Sequence, residues 1–170
     1  MRKASISIMS NYVFFYGGPF SQWASSPFTH HNSGLTFNCA EQFMMYNKAM
    51  LFNDIESADA IMKATQPWEQ KAIGRHVKNF DDAVWMRDAV SIVYHGNRMK
   101  FTQNMGYSHA LKETKGKLLV EASPTDTRWG IGMHENQAGI EDPANWKGEN
   151  LLGKVLTQLR FELFGLKRIF

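Results

Sequence analysis

Glu41 and Lys48 supply a carboxyl and an amine seven residues apart in the run Glu-Gln-Phe-Met-Met-Tyr-Asn-Lys. Seven residues make two turns of an α-helix, so the two side chains leave from one face. At 100° per residue Met44, Met45 and Phe52 fall on that same side, and Phe43, Tyr46 and Met50 fall opposite. A helix apolar on both faces is buried all round. A charge carried into such a setting is costly unless it is paired or put to use. In the plainer account Glu41 closes the helix N-terminus and Lys48 carries its ammonium out to water along an aliphatic stem. Pattern alone leaves both accounts open.

A second group lies in Glu121-Ala-Ser-Pro-Thr-Asp126-Thr-Arg-Trp129-Gly130-Ile-Gly132. A carboxylate just after a strand can move a proton, and Gly130 and Gly132 would let backbone N–H groups approach a phosphate. A tight turn around a core tryptophan explains the same residues, and a lone Gly-x-Gly favours the turn. Lys71 to Arg75 and Lys100 to Asn104 set cations and amides at helical spacing. Arg75 can grip a phosphate with two parallel hydrogen bonds, although solvated helix faces look alike, and that is the simpler account of Lys71. The six histidines form no His-Glu-x-x-His or similar ligand spacing. Neither a metal nor a cofactor is expected.

The elements that must hold these residues follow from periodicity and punctuation. Residues 12–16 and 35–37 read as short strands among Gly- and Pro-marked turns. Asn38 is placed to cap a helix starting at Cys39, with Glu41 three residues on as in a capping box. Asp54 opens a second helix to about Lys63, and Pro67 suits the first turn of a third, through Val77. Asp81 or Asp82 starts a long fourth helix whose apolar positions include Val90, Val93, Tyr94 and Phe101. Residues 107–114 form a shorter helix and 118–120 a buried strand. Residues 123–150 are irregular and contain Trp129 and Trp146; a segment of that length inside a compact domain is commonly functional. Asn150 then caps a last helix with an apolar stripe through Leu152, Val155, Leu156, Leu159, Leu163 and Leu166. The expected class is α+β, predominantly helical, in a single domain over residues 1–170 with its core at about 12–165.

The order of these pieces carries more than any one of them. Phe20-Ser-Gln-Trp23, Ser26-Pro-Phe28, Glu41-x6-Lys48-Ala49, Pro67…Lys71…Gly74-Arg75, Trp85-x-Arg87, Lys100-Phe101…Asn104, Leu111…Thr114, Glu121…Asp126…Trp129-Gly-Ile-Gly132 and Trp146-x-Gly148-x-Asn150-Leu-Leu-Gly153 follow one another in this chain. The set strongly resembles the NADAR (YbiA-like) family, from about residue 12 to 165. The resemblance implies a compact YbiA-like domain and N-glycosidase chemistry on ribosylated bases. The implied substrates are ADP-ribose on guanine, free or in nucleic acid, or ribosylamino-pyrimidine phosphates of the riboflavin pathway. It also implies a catalytic centre at Glu41 and Lys48 with Asp126 and Trp129 nearby. Trp23, Arg75, Trp85, Asn104, Gly130 and Gly132 join Trp129 as candidate substrate-binding positions. Two positions depart from the family pattern: Gln22 stands where Asn is usual, and Met45 where a polar residue is common.

That chemistry suits the residues. Breaking a ribosyl C1–N bond requires a proton on the leaving base and stabilisation of an oxocarbenium-like carbon. Glu41 can serve as acid and base. Lys48, if desolvation frees its amine, can attack C1 and form an imine with the opened ribose. A non-catalytic module that binds ADP-ribose or a related nucleotide is the competing function, and it needs neither group.

Composition sets the outer bounds. A chain of 170 residues with 44% hydrophobic and 21% charged residues is globular and can bury a real core. A net charge of +3 fits an anionic ligand, while the cations lack the runs and stripes typical of a polyanion groove. A lone cysteine excludes an internal disulfide and points to a reducing compartment. The N-terminal residues are too polar for a signal-peptide core, and no apolar stretch nears the roughly 18 residues of a membrane span. A cytoplasmic protein without a membrane partner is expected.

Overall fold

A computed structural model describes residues 5–9 and 11–165. The chain gathers into two compact units, Met1–Ser21 with Gly106–Phe170, and Gln22–Met105.

The first unit is built on three strands, β1 (Ser5–Ile8), β2 (Tyr12–Tyr16) and β5 (Leu118–Glu121), in the order β1-β2-β5. β2 lies in the middle, antiparallel to β1 and parallel to β5. Its Val13, Phe14 and Phe15 are all buried, the continuous apolar run of a strand covered on both faces. β1 alternates half-buried serines with exposed isoleucines, and its four residues give too short a pattern to read as a strand beforehand. α5 (Met105–Glu113) begins at the end of the other unit, and α6 (Leu151–Phe164) packs on β5. Leu152, Val155, Leu156 and Leu159 are buried as the stripe requires, and Leu163 is half-buried. Leu166 lies outside the described residues.

The second unit holds α1 (Ala40–Leu51), α2 (Ile55–Lys63), α3 (Pro67–Arg75), α4 (Asp82–Gln103) and a two-stranded ribbon of β3 (Phe28–Thr29) and β4 (Thr36–Phe37). The starts of α2, α3 and α4 fall where the caps predict. The Asp54 carboxylate accepts from Ser57 N, the Asp81 carboxylate from Val84 N, and Pro67 takes the first turn of α3. α3 ends two residues earlier than expected, at Arg75. α1 packs against α2, α3 and α4, and two glycines permit the approach. A Cβ on Gly74 would lie 2.1 Å from Met45 Sδ, and one on Gly96 would lie 2.7 Å from the Phe43 ring. Phe43 sits with Phe28 and Phe37, the Phe37 and Phe43 rings meeting edge-on at 5.1 Å. The architecture is α+β and predominantly helical, as expected. Among the described residues no helix is long and apolar enough to cross a membrane.

Candidate active site

α1 starts one residue later than the capping pattern suggests. Cys39 is its N-cap and makes no side-chain capping bond. The reach back to the preceding turn comes from Gln42, whose Oε1 accepts Asn38 N–H at 2.7 Å. Gln42 Nε2 donates to Ile61 O, and Gln70 Nε2 donates to Asn38 Oδ1 and Ala64 O, so two buried amides tie α1 to the end of α2 and to α3. The expected capping box at Asn38 and Glu41 is therefore wrong, and the error is informative. The Asn38 N–H that a capping glutamate would take is bound by Gln42 instead. Glu41 lies in the first turn, 5% exposed, where the positive end of the helix dipole favours its carboxylate.

Two turns along, Lys48 does not run out to water. Its Nζ donates to Gly74 O at 2.8 Å, lies 4.2 Å from the Phe80 ring centroid and 5.7 Å from that of Trp85. The apolar wall is thus Phe80 and Trp85 rather than Met44 and Met45 alone, and Phe80 in turn stacks edge-on against Phe52 at 5.4 Å. Sequence could not supply Phe80, which reaches Lys48 from the segment between α3 and α4. Trp85, buried in the first turn of α4, is brought to Lys48 by the fold.

The other candidates of this unit divide. Trp23 is exposed, with Lys71 Nζ 5.8 Å from its ring. Arg75 is exposed at the end of α3, next in sequence to the carbonyl that holds Lys48. Asn104 is taken up by structure: it C-caps α4, and its Nδ2 donates to Pro27 O and Lys100 O.

In the first unit Asp126 shapes the loop after β5. Its Oδ1 accepts N–H groups from Arg128 at 3.0 Å and Trp129 at 2.8 Å, and its carbonyl accepts Gly132 N–H. Gly132 has φ +66°, a backbone that side chains disfavour, and its N–H is spent inside the turn. Gly130 is needed because a Cβ there would lie 2.9 Å from Glu121 O. The close approaches the two glycines allow are to the chain itself. Trp129 is half-buried.

Asn150 corrects the sequence reading most sharply. It is the N-cap of α6, but its backbone is left-handed at φ 54° and its side chain caps nothing. Oδ1 instead accepts Glu121 N–H at 3.0 Å and Nδ2 donates to Leu119 O at 3.0 Å, satisfying the open edge of β5. The first N–H groups of α6, from Leu151 and Leu152, go to the carbonyls of Arg128 and Trp129. The glycine-rich segment is thereby laddered to the helix start, and Gly148 fits only without a side chain, since a Cβ would stand 2.3 Å from Gly130 O.

Besides Gln42 and Gln70, the buried polar residues that the sequence pattern does not announce include Gln22, Asn97 and Lys100. Lys100 and Asn97 are both 0% exposed. Burial pushes the Lys100 ammonium down to about 7, and burial first of all pushes the Cys39 thiol up to about 11. A signal existed. Val93, Asn97, Lys100 and Phe101 fall on one face of α4 at helical spacing, so the lysine occupies an apolar stripe.

Fold and site together describe an α+β protein with a buried acid and a lysine held among aromatic rings two turns away. The chain belongs to the NADAR domain family, whose pattern matches residues 14–164. It is 42% identical over 163 residues to N-glycosidase R617 of Acanthamoeba polyphaga mimivirus, covering 89% of this chain and 95% of that one. It is 29% identical over 137 residues to the chloroplastic riboflavin biosynthesis protein PYRR of Zea mays, covering 76% of this chain and 20% of that one. The NMR structure of the E. coli protein YbiA is similar with a TM-score of 0.73 at 25% identity, covering 92% of this chain and 87% of that one.

Proposed function

We propose that this protein is an N-glycosidase that hydrolyses the bond between C1 of a phosphorylated ribose and the nitrogen of a base. The observation that carries the reading is the helix α1, which holds a buried carboxyl, Glu41, in its first turn and an aromatic-walled lysine, Lys48, two turns on. A module that only binds nucleotides has no use for that pair. The 42% identity to a relative named as an N-glycosidase supports the same chemistry. The family pattern over residues 14–164 runs through both units, which supports treating the whole chain as one catalytic module.

In this reading Glu41 protonates the departing base and then accepts a proton from water or from the opened ribose. Lys48, held by Gly74 O and the Phe80 ring, becomes a nucleophile for C1 as the free amine. Arg75, exposed at the end of α3 beside the Gly74 carbonyl that holds Lys48, is the cation assigned to the phosphate. Trp129 is retained as the ring that stacks on the base, and Asp126 acts through the turn that presents it. The substrate is an ADP-ribosylated guanine, free or in nucleic acid, or a ribosylamino-pyrimidine phosphate, and both carry the same scissile bond. The reaction takes place in the cytoplasm.

The test is turnover of each substrate class by the purified protein, beside Glu41→Gln. The substitution keeps the shape of the side chain and removes its titrating proton. The expected result is a folded variant with kcat lowered about 100-fold or more and a Kd for ADP-ribose near that of the wild type. A variant with wild-type kcat takes Glu41 out of the mechanism, and binding without turnover of any substrate leaves the protein a binding module.

A further inference from the structure

The chain at Gln22 crosses the start of α1 beside the acid. Its carbonyl accepts the Glu41 backbone N–H at 2.9 Å, and the residue is 9% exposed. Asn97, with no exposed surface, fixes how the Gln22 side chain is turned. Asn97 Nδ2 donates to Val93 O at 2.8 Å and to Gln22 Oε1 at 2.7 Å, so the oxygen end of the Gln22 amide is tied to α4. What the nitrogen end meets is Met44 Sδ, at 3.8 Å. Met44 stands on the face of α1 that carries the acid and the lysine, three residues after Glu41 and four before Lys48. A thioether is a weak acceptor, and the amide nitrogen carries two N–H groups. Among the described residues no oxygen or nitrogen accepts from either of them. Donors left unmet inside a protein are costly, and here a second buried amide is spent on aiming them.

We infer that Gln22 is a substrate-contacting residue whose carboxamide N–H donates to the C2 hydroxyl oxygen of the scissile ribose and holds C1 between Glu41 and Lys48. The inference rests on those two side chains being the acid and the nucleophile of the proposed reaction. Glu41 works on the base nitrogen and Lys48 on C1. A donor against Met44, between them on the helix face, meets the sugar beside C1. Two acceptors flank that carbon, the ring oxygen and the C2 hydroxyl. The ring oxygen shares the positive charge of the oxocarbenium-like state, which an N–H dipole opposes. The hydroxyl stays neutral and accepts without that penalty. Holding it fixes C1 relative to both reacting groups, and orientation of that kind lowers a barrier. A site built to bond a hydroxyl also rejects a sugar that lacks it, because the donor is then buried unpaired. Gln22 thereby selects ribosyl over 2-deoxyribosyl substrates.

The experiment measures kcat/KM for the wild type and Gln22→Met on ADP-ribosylated guanosine and on the same compound without the C2 hydroxyl of the scissile ribose. If the wild type turns over only the ribosylamino-pyrimidine phosphate, that compound and its 2-deoxy counterpart take their place. Comparing variant with wild type on each compound cancels the greater intrinsic lability of 2-deoxyribosyl bonds. Gln22→Met should lose about tenfold in kcat/KM on the ribosyl compound and less than about twofold on the 2-deoxy one. A role confined to packing predicts equal losses on both, and equal losses overturn the inference. If Gln22→Met does not fold, the wild type decides by affinity. Ribose 5-phosphate should then bind about tenfold more tightly than 2-deoxyribose 5-phosphate, and equal affinities overturn the inference. A wild type that hydrolyses neither substrate class removes the proposed function and the inference with it, whereas equal losses in an active enzyme remove the inference alone.

Discussion

At the scale of single residues, surroundings separate two lysines that look alike in sequence. Lys48 is half-buried against a carbonyl and two aromatic rings. A lysine attacks carbon only as the free amine, so an imine on Lys48 requires the ammonium proton to leave first. Borohydride added during turnover should trap a ribosyl adduct on the peptide that carries Lys48. Lys48→Arg should lose both adduct and activity. Turnover without any adduct, with Lys48→Arg still active, assigns the attack to water instead. Lys100 makes the opposite case, since its pKa falls from 10.5 to about 7 on folding. Below about 7 the amine is charged in both states and the full cost of burying it is present. Between 7 and 10.5 only the unfolded chain holds the proton, so stability rises with pH. Cys39 works against this above 9, because its thiol, raised to about 11, loses stability as pH climbs from 9 toward 11. Melting temperature should thus increase from pH 6.5 to about 9 in the wild type. Lys100→Met should flatten that rise, and a variant that keeps the wild-type slope would show that another group causes it.

At the scale of elements, the glycine- and asparagine-rich segment is ordered by backbone hydrogen bonds that sequence patterns do not foretell. The α6 terminus takes its partners from the carbonyls of Arg128 and Trp129, which leaves Asn150 to satisfy β5. A good N-cap residue should therefore not replace it. Asn150→Asp can still accept from Glu121 N but cannot donate to Leu119 O, and it sets a carboxylate against that buried carbonyl. It should destabilise by about 1–3 kcal/mol, close to Asn150→Ala, in chemical denaturation. If Asn150→Asp is as stable as the wild type, side-chain capping is its role after all.

At the scale of the whole molecule, the family pattern and the likeness to YbiA run across both units, so the recognition does not depend on α1 alone. Trp129 is where binding and structure can be told apart in the first unit. Its backbone N–H and carbonyl serve the loop and the start of α6, whereas its half-buried ring is not needed for either bond. Trp129→Ala should leave the melting temperature within a few degrees of the wild type and raise KM about tenfold, the loss of one stacked base contact. An unfolded variant, or an unchanged KM in a folded one, makes the ring a packing residue.

The sequence by itself determined the class, the helices and the acid–lysine pair. Caps such as Asp54, Pro67 and Asp81 act within one turn, and the two-turn spacing of Glu41 and Lys48 is a property of any helix that contains them. Motif order was enough for the family because it accumulates over the chain. Tertiary structure decided what each polar group does. Local pattern makes both Asn38 and Asn150 caps, yet the bonds they make depend on Gln42 and Gln70 in one case and on the edge of β5 in the other. Phe80 reaches Lys48 from elsewhere in the chain, and Lys100 is turned into the interior with no exposed surface. Periodicity reports which face of a helix is turned inward. It does not report which partner waits there, and burial, charge state and hydrogen bonding are all settled by the partner.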